Sequence, residues 1–262
     1  MVEKRQQEEV KDFFNRISDN YSDKYSEKNP FHYWYFNERL NAATEDGDID
    51  FNHKNILDIG TGTGALYDFL IAKGNNQMNF FGCDIAEKMM EESHIPKENR
   101  FVGNCYEIDF GGKKFDYVFV LGVTTYLHPD EQDKVLKFIS DNLHPDGTAL
   151  ISFTNKRSLN YILYTMSKPF TKLFKKGGRV ASQSFRTYNY NQKEIRLLVK
   201  GQFKLDNLIY INQTFFPLSH LLPNFSIRLA KFIQRHVKKS RLFNFFSAEF
   251  IVVLKPIKQT AK

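Results

Sequence analysis

The chain has 262 residues, enough to bury a substantial core as one large domain or as a domain with an appendage. No apolar run reaches the roughly 18–20 residues of a membrane-spanning helix. The charged, Gln-rich start Met1–Phe14 does not read as a secretory signal, so a cytoplasmic protein is expected.

The net charge of +7 hides an asymmetry. Residues 1–146 hold 16 Lys and Arg against 27 Asp and Glu, whereas residues 147–262 hold 21 against three, Glu194, Asp206 and Glu249. Such a split points to one face that meets an anionic partner. The two cysteines, Cys83 and Cys105, are expected as reduced thiols with packing roles, near each other on neighbouring strands.

In chain order, Glu3–Ile17 reads as a helix, followed by a polar, aromatic segment, Ser18–Leu40. Strands and helices then alternate: strand "KNILDIG", helix "TGALYDFLIAKG" closing at Gly74, strand "NFFGCDI", helix "AEKMMEESH" and short strand "RFVGN". "KFDYVFVLGV" is apolar on both faces, as a buried parallel strand is, and the helix "PDEQDKVLKFISDNL" leads into a second such strand, "GTALISFTN". This rhythm predicts a doubly wound, mostly parallel α/β sheet. After Asn155 it changes. A helical insert occupies about 156–190, and "NYNQKEIRLLVKG" is a helix capped by Asn189 or Asn191. A strand "FKLDNLIYINQ", a basic helical stretch at about 217–242 and a closing strand "AEFIVVLKP" complete the chain. The expected organisation is an N-terminal helical cap over residues 1–50 and a nucleotide-binding domain over 51–262.

The strongest chemical signal is "ILDIGTGTG", Ile56–Gly64, at the end of the first strand. Gly60, Gly62 and Gly64 clear side chains where the backbone turns into a helix, so a ligand can approach the helix N-terminus. "GTGTGA" alone also fits a dinucleotide-binding G-x-G-x-x-A pattern. Two acids separate the readings. Asp58 lies two residues before the first glycine, where it can meet an amino group, and Asp84 ends the second strand, where it can accept both hydroxyls of a ribose. The pair suits a nucleoside that carries an ammonium group and ill suits a pyrophosphate.

Over about residues 50–155 the chain resembles the class I S-adenosylmethionine-dependent methyltransferases. "ILDIGTGTG" is similar to their first motif, "FFGCDIAEKMM" to the second, "FVGNCYEIDF" to the third, "FDYVFVLGVTTYLH" to the fourth and "LHPDGTALIS" to the turn into the fifth strand. The resemblance implies a seven-stranded Rossmann-like sheet with an antiparallel C-terminal strand, and S-adenosylmethionine as cofactor. It implies a cofactor site of Asp58, Gly60, Thr61, Gly62, Gly64, Asp84, Ile85, Asn104, Cys105, Leu121 and Gly122. Asn104 stands where an Asp is usual, and it either meets the adenine or caps the strand end. "YSDKY" resembles a Tyr-rich element that closes over the cofactor, so Tyr21 and Tyr25 either line the site or pack elsewhere.

Thr124, Thr125 and Tyr126 follow the fourth motif towards a substrate opening, and His128 either caps the next helix or serves as catalytic base. The expected reaction is in-line methyl transfer to a small or lipid-like acceptor at oxygen. No stretch like "NPPY" follows the fourth strand, against methylation of a base nitrogen, and no cluster has metal-ligand spacing. RNA methylation by the basic half, and a non-catalytic or oxidoreductase nucleotide-binding protein, are the alternatives.

Two stretches combine apolar stripes with positive charge. In "SLNYILYTMSKPFTKLFKKGG", Leu159, Ile162, Leu163, Met166, Phe170, Leu173 and Phe174 recur at helical spacing, Lys168, Lys172, Lys175 and Lys176 supply charge, and Pro169 is expected to break the helix in two. In "FSIRLAKFIQRHVKKSR", Phe225, Leu229, Phe232, Ile233 and Val237 are interleaved with Arg228, Lys231, Arg235, Lys238 and Lys239. Either these stripes pack on the protein's own core, or they hold it at an anionic membrane.

Overall fold

A computed structural model describes residues 2–45, 49–173, 185–214, 218–237 and 243–257. Among them the sheet has seven strands: β1 (Asn55–Ile59), β2 (Asn79–Asp84), β3 (Arg100–Val102), β4 (Phe115–Val120), β5 (Leu143–Thr154), β6 (Phe203–Gln213) and β7 (Ser247–Pro256). Their spatial order is β3-β2-β1-β4-β5-β7-β6. β1 to β5 pair in parallel, and β7 inserts antiparallel between β5 and β6. The expected doubly wound sheet is therefore present, with one antiparallel strand near its edge.

Apolar residues on both faces explain the central position of β1, β4, β5 and β7. Leu57, Val118, Val120, Ala149, Ile151, Phe250 and Val252 fill one layer of the core, and Ile56, Phe119, Leu150, Ile251 and Val253 fill the opposite layer. Period-2 alternation thus feeds two cores from each strand, because both sheet faces are covered by helices. Cys83 and Cys105 are buried free thiols in one cluster. Cys105 sits in the turn after β3 and not on a strand.

The covering helices include α1 (Val2–Ile17), the single turn α2 (Tyr21–Lys24), α3 (Pro30–Thr44), α4 (Ala65–Ala72), α5 (Glu87–Glu91), α6 (Pro129–Asn142), α7 (Leu159–Leu173) and α8 (Gln192–Leu198). α9 (Leu218–Leu221), α10 (Pro223–Val237) and α11 (Phe243–Phe246) lie between β6 and β7. α3 occupies much of the segment that the sequence reads only as polar and aromatic. Pro30 starts it, where a missing N–H costs nothing. Of the two candidate caps for α8, Asn191 is the one used: its side chain accepts from the N–H groups of Lys193 and Glu194.

The break expected at Pro169 does not occur, and α7 runs through it to Leu173. A proline removes one backbone donor. Here the helix continues for only one further turn, so little hydrogen bonding is at stake. Phe174, Lys175 and Lys176, and Lys238 and Lys239, lie outside the described residues, as do the side chains of Lys168, Phe170, Lys172, Leu173 and Val237.

Candidate active site

Crossing from β1 to α4, the chain makes three turns that need glycine. Gly60, Gly62 and Gly64 have φ of +74°, +55° and +78°. A Cβ at Gly60 would lie 2.2 Å from Val123 Cγ2, and one at Gly64 would lie 2.4 Å from Ser93 Oγ. The loop is pinned to the next strand, with the N–H groups of Gly60 and Thr61 both donating to the Cys83 carbonyl. Gly62 N–H donates to Asp84 Oδ2 at 2.9 Å and Ala86 N–H donates to Oδ1 at 2.8 Å, which fixes the carboxylate at the end of β2.

A cleft of about 310 Å³ opens over this loop. Asp58, Gly60, Thr61, Gly62, Asp84, Ile85, Asn104, Cys105, Leu121 and Gly122 all line it. Gly64 sits behind it as the left-handed N-cap of α4. Asp58 is buried, and burial pushes its carboxyl up to about 7, with the Thr61 hydroxyl opposing and Asp84 adding to the rise. No cation pairs with it among the described residues. Burial also raises Asp84, against the pull of its backbone donors. A buried carboxylate facing an open cleft with no countercharge fits a ligand ammonium. The glycine cradle fits a ligand pressed on the backbone, and Asp84 keeps lone pairs for hydroxyl donors. S-adenosylmethionine presents both groups.

The N-terminal helices close the cleft from above. Gln7 on α1 donates to Asn104 Oδ1, and Asn104 Nδ2 donates to Glu107 Oε2 at 2.7 Å. Asn104 is thus held by both flanks and makes no side-chain cap. Tyr21 and Tyr25 are in the lining, their ring centroids 5.0 Å apart. They form one wall with Phe14, 5.3 Å from Tyr126, and Phe36, 4.9 Å from Tyr25. Burial, with the neighbouring Tyr25, holds the Tyr21 hydroxyl well above its ordinary value, and burial brings Tyr126 to about 12. Both are neutral donors at physiological pH.

At the far end, Arg39 of α3 meets Glu249 of β7 in a two-bonded pair, Nε to Oε2 at 3.0 Å and Nη2 to Oε1 at 2.7 Å. Asn212, buried and at φ +57°, aims its Nδ2 at the same carboxylate. Arg39 Nη1 lies 2.8 Å from where a Cβ of Gly122 would stand. No local motif marks Arg39 or Glu249, although Glu249 is one of only three acids in the basic half.

His128 is placed elsewhere. It is absent from the cleft lining and forms the N-cap of α6: its Nδ1 accepts from Asp130 N–H, and Glu131 accepts from its own N–H at 2.9 Å. Its ring meets Tyr188 edge to face. A helix that starts at Pro129 leaves its first N–H groups without helical partners, and the imidazole Nδ1 meets one of them. Thr124 and Thr125 do reach the cleft. No cluster of three or more potential metal ligands exists among the described residues.

Residues 56–147 match the family model for a methyltransferase domain. The chain is 26% identical over 151 residues to an uncharacterized protein of Rickettsia prowazekii (strain Madrid E), covering 55% of this chain and 57% of that one. It is 32% identical over 143 residues to the N-methyltransferase FrzE of Cladobotryum sp, covering 46% and 48%. The chain thus spans about half the length of these curated relatives. Among solved structures, the magnesium protoporphyrin IX methyltransferase of Synechocystis PCC 6803 with bound SAH shares the fold at a TM-score of 0.58 and 17% identity, over 95% of this chain and 99% of that one. CcbJ methyltransferase of Streptomyces caelestis does so at 0.58 and 15%, over 92% and 96%. Residues 56–147 are thus similar to a methyltransferase domain, and the whole described sheet, in the order β3-β2-β1-β4-β5-β7-β6, shares the fold of solved S-adenosylmethionine-dependent methyltransferases.

Proposed function

We propose that the protein transfers the methyl group of S-adenosylmethionine to an oxygen of a small, largely apolar acceptor. One observation carries this reading: a single cleft joins the Asp58–Asp84 cradle to the aromatic wall of Phe14, Tyr21, Tyr25, Phe36 and Tyr126. In this reading Asp58 meets the ammonium, Asp84 the ribose hydroxyls and Asn104 the adenine edge. Ile85 packs on the adenine ring, and Arg39 Nη1 reaches the methionyl carboxylate past Gly122. The aromatic wall holds a flat or greasy acceptor in line with the methyl group, since positioning is the main demand of such a displacement.

The chemistry of the wall favours an acceptor that arrives already nucleophilic. Tyr21 and Tyr126 stay protonated, and Glu249 is committed to Arg39. A phenolate or carboxylate oxygen needs no base; an alcohol does. A nitrogen acceptor is the second reading, supported by the likeness to the N-methyltransferase of Cladobotryum sp.

Calorimetry with S-adenosylmethionine, with NAD as control, tests the cofactor. Mass spectrometry of extracts incubated with methyl-labelled cofactor tests the acceptor. A labelled product stable to acid and base but formed on nitrogen moves the assignment to the second reading. Binding of NAD in place of S-adenosylmethionine removes both.

A further inference from the structure

An amphipathic helix of a soluble protein normally turns its bulky apolar residues inward. α10 does so only in part: Ile227, Leu229 and Ile233 are half-buried, but its two largest apolar side chains are not. Its buried positions are Ser226 and Ala230, which let it lie close on the body of the protein, where Gln234 donates to Glu38 of α3. Phe225 and Phe232 instead stand 54% and 57% exposed. Leu221 and Leu222, just before α10, are 71% and 55% exposed. Phe225 and Phe232, seven residues apart, stand on one line of α10, and Leu221 ends α9 just before it.

Charge borders this line on one side. Arg228, Lys231 and Arg235 are exposed, and the sequence has no Asp or Glu from Asn207 to Ala248. On α7, Ile162 and Met166 are exposed as well. A second copy of so basic a surface would repel its twin, whereas an anionic bilayer offers both an apolar interior and countercharge. No helix of the described residues is long and apolar enough to cross a membrane, so the contact is one of lying on the surface.

We infer that the outward face of α9–α10 is a docking surface for an anionic lipid bilayer. Phe225, Phe232 and Leu221 enter the headgroup boundary, and Arg228, Lys231 and Arg235 sit at phosphate level. α10 packs on α3, which carries Phe36 and Arg39 into the cleft from its other side. Docking therefore brings the acceptor end of the cleft within one helix of the bilayer. The surface itself does not depend on which acceptor is used.

Sedimentation with vesicles of phosphatidylcholine and phosphatidylserine tests the inference. The wild-type chain pellets with them at low salt, pellets less at high salt, and stays in solution with phosphatidylcholine alone. Arg228→Gln with Arg235→Gln weakens partitioning by about 30-fold, the effect of removing two interfacial cations. Phe225→Ser with Phe232→Ser abolishes pelleting while the unfolding midpoint is kept, because both side chains face outward. Wild type left in solution with anionic vesicles overturns the inference, as does pelleting that neither variant weakens. A dimer in sedimentation velocity that the phenylalanine substitutions dissolve overturns it in favour of a second copy.

Discussion

Arg39 and Glu249 are 210 residues apart in sequence and bound through two parallel hydrogen bonds inside the cleft. Their side chains are only 13% and 10% exposed. The fork geometry matches guanidinium to carboxylate, and it ties the N-terminal cap to β7, the antiparallel strand. The Glu249 carboxylate, with the Tyr35 and Tyr25 hydroxyls, outweighs the burial of Arg39, so the guanidinium is held even further above its ordinary range.

Breaking one side of this pair is expected to be costly. Arg39→Met leaves Glu249 buried without countercharge and should destabilise the fold by about 3–5 kcal/mol. Arg39→Met with Glu249→Leu should recover much of that loss, because no charge is then stranded. Urea unfolding of the two variants measures both effects, and a double variant less stable than the single one contradicts this account.

Asp84 holds Gly62 N–H and Ala86 N–H while facing the cleft. Asp84→Ala should lower S-adenosylmethionine affinity at least tenfold by calorimetry, since each hydrogen bond to a charged group is worth about 1.5–3 kcal/mol. An unchanged dissociation constant removes Asp84 from the ribose role.

Asp58 gives the chain a pH signature. Its carboxyl sits at about 7 in the folded protein against an ordinary 3.8. The folded state therefore binds more protons than the unfolded one between these values. The stability from this group is fully present below about pH 4 and is lost as pH rises through about 7. Urea midpoints of Asp58→Asn should decline less than wild type across pH 4–8. An ammonium in the cleft draws the carboxyl to its ionised form, so cofactor binding at pH 7 should release protons, seen as a buffer-dependent heat.

Gly60→Ala should abolish cofactor binding and destabilise the fold. It adds a Cβ that would stand 2.2 Å from Val123 to a residue at φ +74°. Gly74→Ala is the matched control: φ is +91°, but nothing lies within 4 Å, so only backbone strain of roughly 1–3 kcal/mol is expected and affinity is kept.

His128→Ala should act on stability and not on turnover. Losing the α6 cap costs about 1 kcal/mol. Activity at saturating substrates should stay within about threefold, whereas a general base would cost about 10²–10⁴. A loss in that larger range would return His128 to the chemistry.

The sequence by itself determined the sheet, the glycine turn and the two acids, Asp58 and Asp84, that line the cleft beside it. These are local properties: period-2 apolar runs, glycines at a strand–helix turn, and an acid at a strand terminus each act within a few residues. Tertiary structure decided the other end of the cleft. Arg39, Glu249, Phe14 and Tyr126 come from α1, α3, the β4–α6 loop and β7, and only chain packing brings them to one cleft. It also decided that His128 caps α6, because the role of an imidazole before a helix depends on which way the ring turns. The outward turn of Phe225 and Phe232 was not legible either. Periodicity marks an apolar stripe, but the small Ser226 and Ala230 win the inward face, since close helix approach there excludes a large ring.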